Sequence, residues 1–321
     1  MTPLDPPSAA LLPELFIARL QEMLPPASLE PCLQSFSCHR HTCFRINTLK
    51  SSEAELVATL RAEGFRLQPI DWCSGIYSIP PAQRRALTES SAFNQGLIYI
   101  QDLSSMLAPI LLDPQPGECV LDLAAAPGGK TLQLAAMMQN SGQLSAVESV
   151  KGRFYRLKAN LERGGASMVR CYLKDGRSVG AKVPGRFDRV LLDAPCSSEA
   201  RFDTANPVSW AHWSLKKVQE SARKQQRLLD SAIRALKPGG TLIYCTCSFS
   251  PEENEQVVDA QLRRYRDQIT LLPIDLPLSN LQPGLLQWGK RRYDDRLRLA
   301  VRVLPNDRMR GFFLCRLTRS G

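Results

Sequence analysis

The hydrophobic positions of this chain change period along its length. From residue 8 to 37, Leu11, Leu12, Leu15, Phe16, Leu20 and Leu24 fall at helical spacing until Pro25-Pro26 interrupts them, which predicts two short helices. Phe44–Leu49 then reads as a strand, Glu53–Gly64 as a helix ended by its glycine, and Phe65–Ile70 and Gly75–Ile79 as strands. Elements this short, alternating this closely, predict a small α+β unit. Tyr99–Leu112 leads out of it as a turn and a helix.

From Glu118 onward, short apolar runs alternate with longer amphipathic ones. Strands are predicted at Cys119–Leu123, Gln143–Val147, Met168–Tyr172, Arg189–Leu192 and Thr241–Cys245. Helices are predicted at about Gly129–Met138, Lys151–Arg163, Leu215–Leu236 and Pro251–Tyr265. Such alternation predicts an α/β fold, a doubly wound and mostly parallel sheet. Leu297–Leu304 and Gly311–Leu317, joined through Pro305-Asn306-Asp307, predict an antiparallel hairpin at the C-terminal end. The Leu- and Pro-rich stretch Leu271–Gly289 is expected to be a long loop over the sheet. The division expected is residues 1–110 for the helices and the small unit, and 111–321 for the large sheet.

No run of about 18 apolar residues occurs, so no membrane span is expected. Ser8–Leu24 carries Pro13, Glu14, Arg19 and Glu22, which reads as an amphipathic helix and not as a signal peptide. A cytoplasmic protein, acting as a monomer, is the expectation. Net charge is +10, but it divides unevenly: −2 over residues 1–110, +4 over 111–260 and +8 over 261–321. Arg263, Arg264, Arg266, Lys290, Arg291 and Arg292 belong to that last stretch, and such clustering suits a polyanion partner such as nucleic acid. The ten cysteines show no disulfide framework. The run Cys38-His39-Arg40-His41-Thr42-Cys43 has no usual zinc spacing, and no metal is expected.

Candidate chemistry collects at predicted strand ends. Ala124, Ala125, Ala126, Pro127, Gly128, Gly129 and Lys130 lie between a strand and a helix, where small residues let backbone N–H groups approach a ligand. The spacing is neither a P-loop nor a dinucleotide fingerprint, which speaks against a nicotinamide oxidoreductase. Glu148 ends the next strand, about 20 residues on, where nucleoside-binding sheets hold ribose hydroxyls. Asp175 follows the third strand and Asp193 ends the fourth. Beyond Asp193 lies Cys196, in Asp-Ala-Pro-Cys, and after the fifth strand lies Cys247, in Tyr-Cys-Thr-Cys-Ser. Carboxyl ends of strands converge on one crevice, so two thiols, three acids and a glycine turn are expected to face one ligand. Cys245 is expected in the core, on the opposite face of its strand from Cys247. Trp210 and Trp213 are expected either to stack on a base or to pack in the core.

Together these motifs resemble the Sun/Fmu-type RNA 5-methylcytosine methyltransferases. The resemblance runs from Phe44-Arg45-Ile46-Asn47-Thr48-Leu49-Lys50, through Tyr99-Ile100-Gln101-Asp102-Leu103-Ser104-Ser105-Met106, to Arg302-Val303-Leu304-Pro305 and Gly311-Phe312-Phe313. Its specific parts are Ala125–Thr131, Asp193-Ala194-Pro195-Cys196-Ser197, and Thr246-Cys247-Ser248 with Glu253-Asn254-Glu255. It implies a seven-stranded methyltransferase sheet, S-adenosyl-L-methionine as cofactor, and an RNA substrate, ribosomal in preference to transfer RNA. It further implies that residues 124–130 wrap the methionine part, Glu148 holds the ribose, Asp175 lies on the adenine side, and Asp193 borders cofactor and base. Arg153 takes a place near the cofactor. Cys247 is the implied nucleophile, and Cys196 the residue that helps release product.

The resemblance has departures. Many members read Pro-Cys-Ser-Gly followed by a glycine and arginines, where this chain has Ser198-Glu199-Ala200-Arg201-Phe202, and Ala124 stands where cysteine is common. The first change is expected to bear on substrate choice. The base explains why a thiol is wanted: carbon 5 of cytosine becomes nucleophilic once a thiolate has added at carbon 6. An alternative is a non-catalytic RNA-binding or ribosome-assembly factor on the same fold, against which Cys247, Cys196, Asp193 and the intact glycine turn all speak. A DNA cytosine methyltransferase fits less well, because the Thr-Cys-Ser and Glu-Asn-Glu pairing points to RNA.

Overall fold

A computed structural model describes residues 12–320. Its first part holds α1 (Glu14–Met23), α2 (Pro26–Gln34), β1 (Thr42–Ile46), α3 (Glu53–Ala62), β2 (Gln68–Pro69), β3 (Ile76–Ile79), α4 (Arg84–Glu89), α5 (Ser91–Asn94), β4 (Ile98–Ile100) and α6 (Leu103–Leu112). Then follow β5 (Cys119–Asp122), α7 (Gly129–Met137), β6 (Gln143–Glu148), α8 (Lys151–Arg163), β7 (Val169–Leu173), α9 (Val179–Lys182), β8 (Phe187–Asp193), α10 (Leu215–Ala235), β9 (Leu236–Thr246) and α11 (Glu255–Tyr265). The chain closes with β10 (Ile269–Leu272), β11 (Leu281–Pro283), β12 (Gln287–Trp288), β13 (Arg291–Arg292), β14 (Val301–Val303) and β15 (Phe312–Arg319). Part of the first expected helix, residues 8–11, lies outside the described residues.

The large sheet runs β11-β14-β15-β9-β8-β5-β6-β7, with β10 also paired to β15. β7, β6, β5, β8 and β9 are parallel, and β14, β15 and β9 pair antiparallel, as the hairpin reading required. The sheet has nine strands, two more than seven, because short β10 and β11 add to it. Both come from the stretch around Leu271–Gly289, which is therefore only partly loop; Pro283 sits on the edge strand β11, where a missing N–H costs no ladder bond.

Both faces of this sheet are covered, and the strands show it residue by residue. Leu121, Val190, Leu192, Leu242 and Tyr244 pack into one cluster with α10 and α11 side chains such as Leu229, Ile233 and Val258. Their neighbours Val120, Leu191, Ile243 and Cys245 face the other way, into a cluster with Met106, Leu107, Leu134 and Leu157 from α6, α7 and α8. An apolar residue at every position is what a doubly covered strand requires.

The smaller sheet, β2-β3-β1-β4, is antiparallel and has its own core of Phe44, Ile46, Leu60, Ile79 and Leu87. β1 ends at Ile46, short of the expected Leu49, because the Asn47 side chain turns away to donate to Gly96 and Gly164 carbonyls at 2.8 Å each. β4 and the short helices α4 and α5 carry too few residues for a period to show. A further cluster packs α1 and α2 around Phe202, Phe249, Trp210 and Trp213. The tryptophans thus belong to packing; Trp213 Nε1 is engaged with Glu199 at 2.8 Å.

Candidate active site

β5, β8 and β9 are adjacent parallel strands, with Asp122 opposite Leu191 and Asp193 opposite Cys245. The three segments leaving their carboxyl ends therefore emerge side by side. They line a cavity of about 570 Å³, together with residues of Tyr99–Ser105 and Arg310–Phe312. Ala124, Ala125, Ala126, Pro127, Gly129, Lys130, Asp193, Cys196 and Cys247 all stand on its wall, as do Arg153 and Arg201. Gly128 stands behind the wall, at φ +110°, a conformation that only glycine adopts readily. A Cβ on Gly129 would lie 2.7 Å from the Tyr99 ring, so the turn is packed to backbone distance.

Glu148 and Asp175 lie beyond the cavity wall. Glu148 is buried, accepts from Val150 N at 2.8 Å and pairs with Arg153 at 3.6 Å. Arg153 also donates to Ala126 O at 2.7 Å, tying the end of β6 to the glycine turn. Asp175 is half-exposed and is gripped by Arg177 through Nε and Nη2. Lys130 turns toward Asp193: Nζ pairs with its carboxylate at 2.6 Å and donates to Ser105 Oγ at 2.5 Å.

The Cys196 and Cys247 sulfurs are 3.3 Å apart, and both residues are half-buried. The pair titrates unevenly. The Cys196 bond comes first in drawing the Cys247 thiol down to about 6, against burial and with help from Arg201 and the Ser198 hydroxyl 3.7 Å away. Cys196 is pushed far up by that same bond, by burial and by the Cys247 charge. Of the two, Cys247 is the more acidic thiol and Cys196 the one that holds its proton more tightly. Cys245 is core as expected, but on the same face as Cys247, since a strand returns to one face every second residue. Its sulfur lies 3.7 Å from Asp193 Oδ1, beneath the site.

Three further acids emerge that motif reading passed over as site residues. Asp122 is buried on the wall: Oδ2 accepts from Thr131 at 2.7 Å, Oδ1 has no partner, and burial pushes the carboxyl up to about 7. Glu199 and Glu253, both buried, flank Ser248. Burial, and then Glu199, push Glu253 up to about 7. An acid closing the strand before a glycine turn was a signal present for Asp122. Ser198, which stands where the resembled sequences often carry glycine, takes φ +60°, a conformation glycine adopts more readily, and its hydroxyl lies 3.7 Å from the Cys247 sulfur.

Residues 109–318 match the family model described as 16S rRNA methyltransferase RsmB/F, and residues 12–103 match that of the N-terminal domain of 16S rRNA methyltransferase RsmF. A tRNA (cytosine(49)-C(5))-methyltransferase of Pyrococcus abyssi is 41% identical over 263 residues, 82% of this chain and 83% of that protein. The ribosomal RNA small subunit methyltransferase F of Escherichia coli is 40% identical over 277 residues, 85% of this chain; the match spans 57% of that relative's length. The crystal structure of a methyltransferase homolog from Pyrococcus horikoshii superposes with TM-score 0.82 at 32% identity, over 96% of this chain and 95% of that one.

Proposed function

The chain belongs to the RsmB/F methyltransferase family, and from that premise we propose that it methylates carbon 5 of a cytosine in RNA through a transient cysteine–base bond. One observation carries the reading: two thiols of opposed acidity, 3.3 Å apart, share a cavity with a glycine turn built for a cofactor.

The donor set fits S-adenosyl-L-methionine, which supplies an electrophilic methyl on a sulfonium when bound. Asp122 Oδ1, buried and unpartnered, is placed to accept from an ammonium such as that of its methionine part. The turn 124–130 offers backbone at close range, and Glu148 and Asp175 mark the ribose and adenine sides.

The residues divide the chemistry among themselves. The Cys247 thiolate adds to carbon 6, and the displaced electron pair makes carbon 5 able to take the methyl. Lys130 and Asp193, held as an ion pair at the cavity wall, face the ring edge where charge develops. Capture of the Cys247 charge in a carbon–sulfur bond removes much of what holds the Cys196 proton, so Cys196 gives that proton up to solvent and its thiolate becomes available. As thiolate, or through a water it holds, it takes the carbon 5 proton. The carbon 5–carbon 6 double bond then re-forms and the sulfur of Cys247 leaves as thiolate. A flipped or single-stranded nucleotide is required, because both carbons are shielded in a stack.

The N-terminal family match supports ribosomal RNA, and the tRNA methyltransferase relative, matched over most of its length, supports transfer RNA as the second reading. A monomer is proposed, and an RNA substrate supports a cytoplasmic location. Among the described residues no helix is long and apolar enough to cross a membrane. Bisulfite mapping of RNA from cells with and without the gene tests the reading, alongside Cys247→Ala. A cytosine methylated only with the gene, and lost in Cys247→Ala, is expected; normal methylation by that variant would remove the nucleophile assignment.

A further inference from the structure

Behind the two sulfurs lies a polar cluster that the chemistry above does not use. Glu253 Oε1 accepts from Ser197 N at 2.8 Å and from Gln225 Nε2 at 3.2 Å. Its other oxygen accepts from the Ser248 hydroxyl at 2.6 Å and from the Ser197 hydroxyl. Ser197 and Ser248 are the residues immediately after Cys196 and Cys247. Gln225 also donates to Pro195 O at 2.9 Å, just before Cys196. One carboxylate thus grips both thiol-bearing loops, next to the sulfurs.

Glu199 closes the far side. It accepts from Phe249 N at 2.8 Å, Ser250 N at 2.9 Å, Ser250 Oγ at 2.6 Å and Ser248 Oγ at 3.0 Å. The partners of both acids are neutral donors, with no Lys or Arg bridging either acid among the described residues. Burying a carboxylate without a cation is costly, and an apolar side chain would fill the same space more cheaply. What an apolar side chain could not do is hold four donors from two loops and a helix at fixed positions.

We propose that Glu253 is a positioning residue that sets the separation of Cys196 from Cys247, and through it the release of the methylated base. The proposal rests on the covalent reading above. Addition needs only Cys247, the base and the donor. Release needs a second group at carbon 5 while Cys247 still occupies carbon 6. A loosened Ser197 loop therefore harms the second step more than the first.

The test uses the full chain with S-adenosyl-L-methionine and unmodified 16S rRNA and tRNA transcripts. Glu253→Ala, Glu253→Asp and Glu253→Gln are compared with wild type and Cys196→Ala. Turnover to 5-methylcytosine and the SDS-resistant protein–RNA adduct are both read. In Glu253→Ala, turnover should fall about tenfold or more while the adduct fraction rises about as much. Glu253→Gln, which keeps one acceptor oxygen and two donors for rotating hydroxyls, should recover most of the turnover and lose the adduct. If the alanine variant does not fold, Glu253→Asp, with its charge on a shorter stem, carries the test and should also accumulate adduct. Lost turnover with no rise in adduct would mean a purely structural role and overturn the proposal, as would wild-type values of both. If wild type methylates neither transcript and Cys196→Ala traps nothing, the functional reading itself fails and takes the proposal with it.

Discussion

Replacing Cys196 with alanine removes the donor 3.3 Å from the Cys247 sulfur, and with it the first influence drawing that thiol down to about 6. A hydrogen bond to a charged acceptor contributes about 1.5–3 kcal/mol, and a shift of one pH unit corresponds to about 1.36 kcal/mol. The Cys247 midpoint should therefore rise by about one to two units in Cys196→Ala. Arg201 and Ser198 remain, which is why it stops short of an ordinary thiol. At pH 7 the ionised fraction would drop from about nine-tenths to between about one-half and one-tenth. The assay is iodoacetamide alkylation from about pH 5 to 9, read by mass spectrometry at position 247. Thiolate is the reactive form, so labelling falls as pH drops through the midpoint, and the variant should lose it at the higher pH. Cys32 and Cys43, pushed up to about 12 mainly by burial, are internal controls that label slowly throughout. A midpoint that stays in place, or moves down, refutes Cys196 as the donor.

Two other outcomes follow from packing. Gly129→Ala would put a Cβ 2.7 Å from the Tyr99 ring and 3.2 Å from Gln101 Oε1, so calorimetric binding of S-adenosyl-L-methionine should weaken by about tenfold or more; unchanged binding would show that the turn does not cradle the cofactor. Arg302 holds both Glu255 oxygens at 2.6 and 2.5 Å with the pair almost fully buried, and donates to Phe249 O at 2.8 Å. Arg302→Met strands that carboxylate and should cost about 3–5 kcal/mol in urea unfolding, with Glu255→Leu in the same chain restoring much of it; a loss below about 1 kcal/mol would contradict the burial argument.

The central strands of the large sheet were legible because double coverage makes their inner positions apolar, as in Val190-Leu191-Leu192 and Leu242-Ile243-Tyr244. The thiols were legible for a related reason: strand ends are where such sheets gather ligands, and adjacency of β8 and β9 turns two separate motifs into one contact. Glu199 and Glu253 were not. Glu253 meets Ser197 across 56 positions, and nothing local to either residue announces the bond. β10 and β11 escaped for a similar reason, since an edge strand of three or four residues is defined by its partner more than by its own pattern. The face of Cys245 was mistaken in spite of a legible pattern: period two decides it from the sequence alone.

The small sheet gains its meaning from what its outer face touches. Phe44 and Ile46 turn into its own core, which leaves Arg45 pointing at the large sheet. Arg45 is buried, lies 5.5 Å over the Tyr99 ring, and donates to Gly129 O at 3.0 Å, while Tyr99 packs against the same glycine. Asn47 extends the seam by reaching Gly164 just past α8. The conformation of the glycine turn is thus held from the small sheet. Residues 1–110 carry a net charge of −2, so bulk attraction to RNA cannot be their contribution. Bracing the turn at residues 128–130 needs no surplus charge, only a guanidinium on β1 and a ring on β4 at fixed positions, with the Asn47 amide just past β1 fastening the seam at Gly164. On this reasoning the small sheet would act on the proposed chemistry through the shape of the glycine turn.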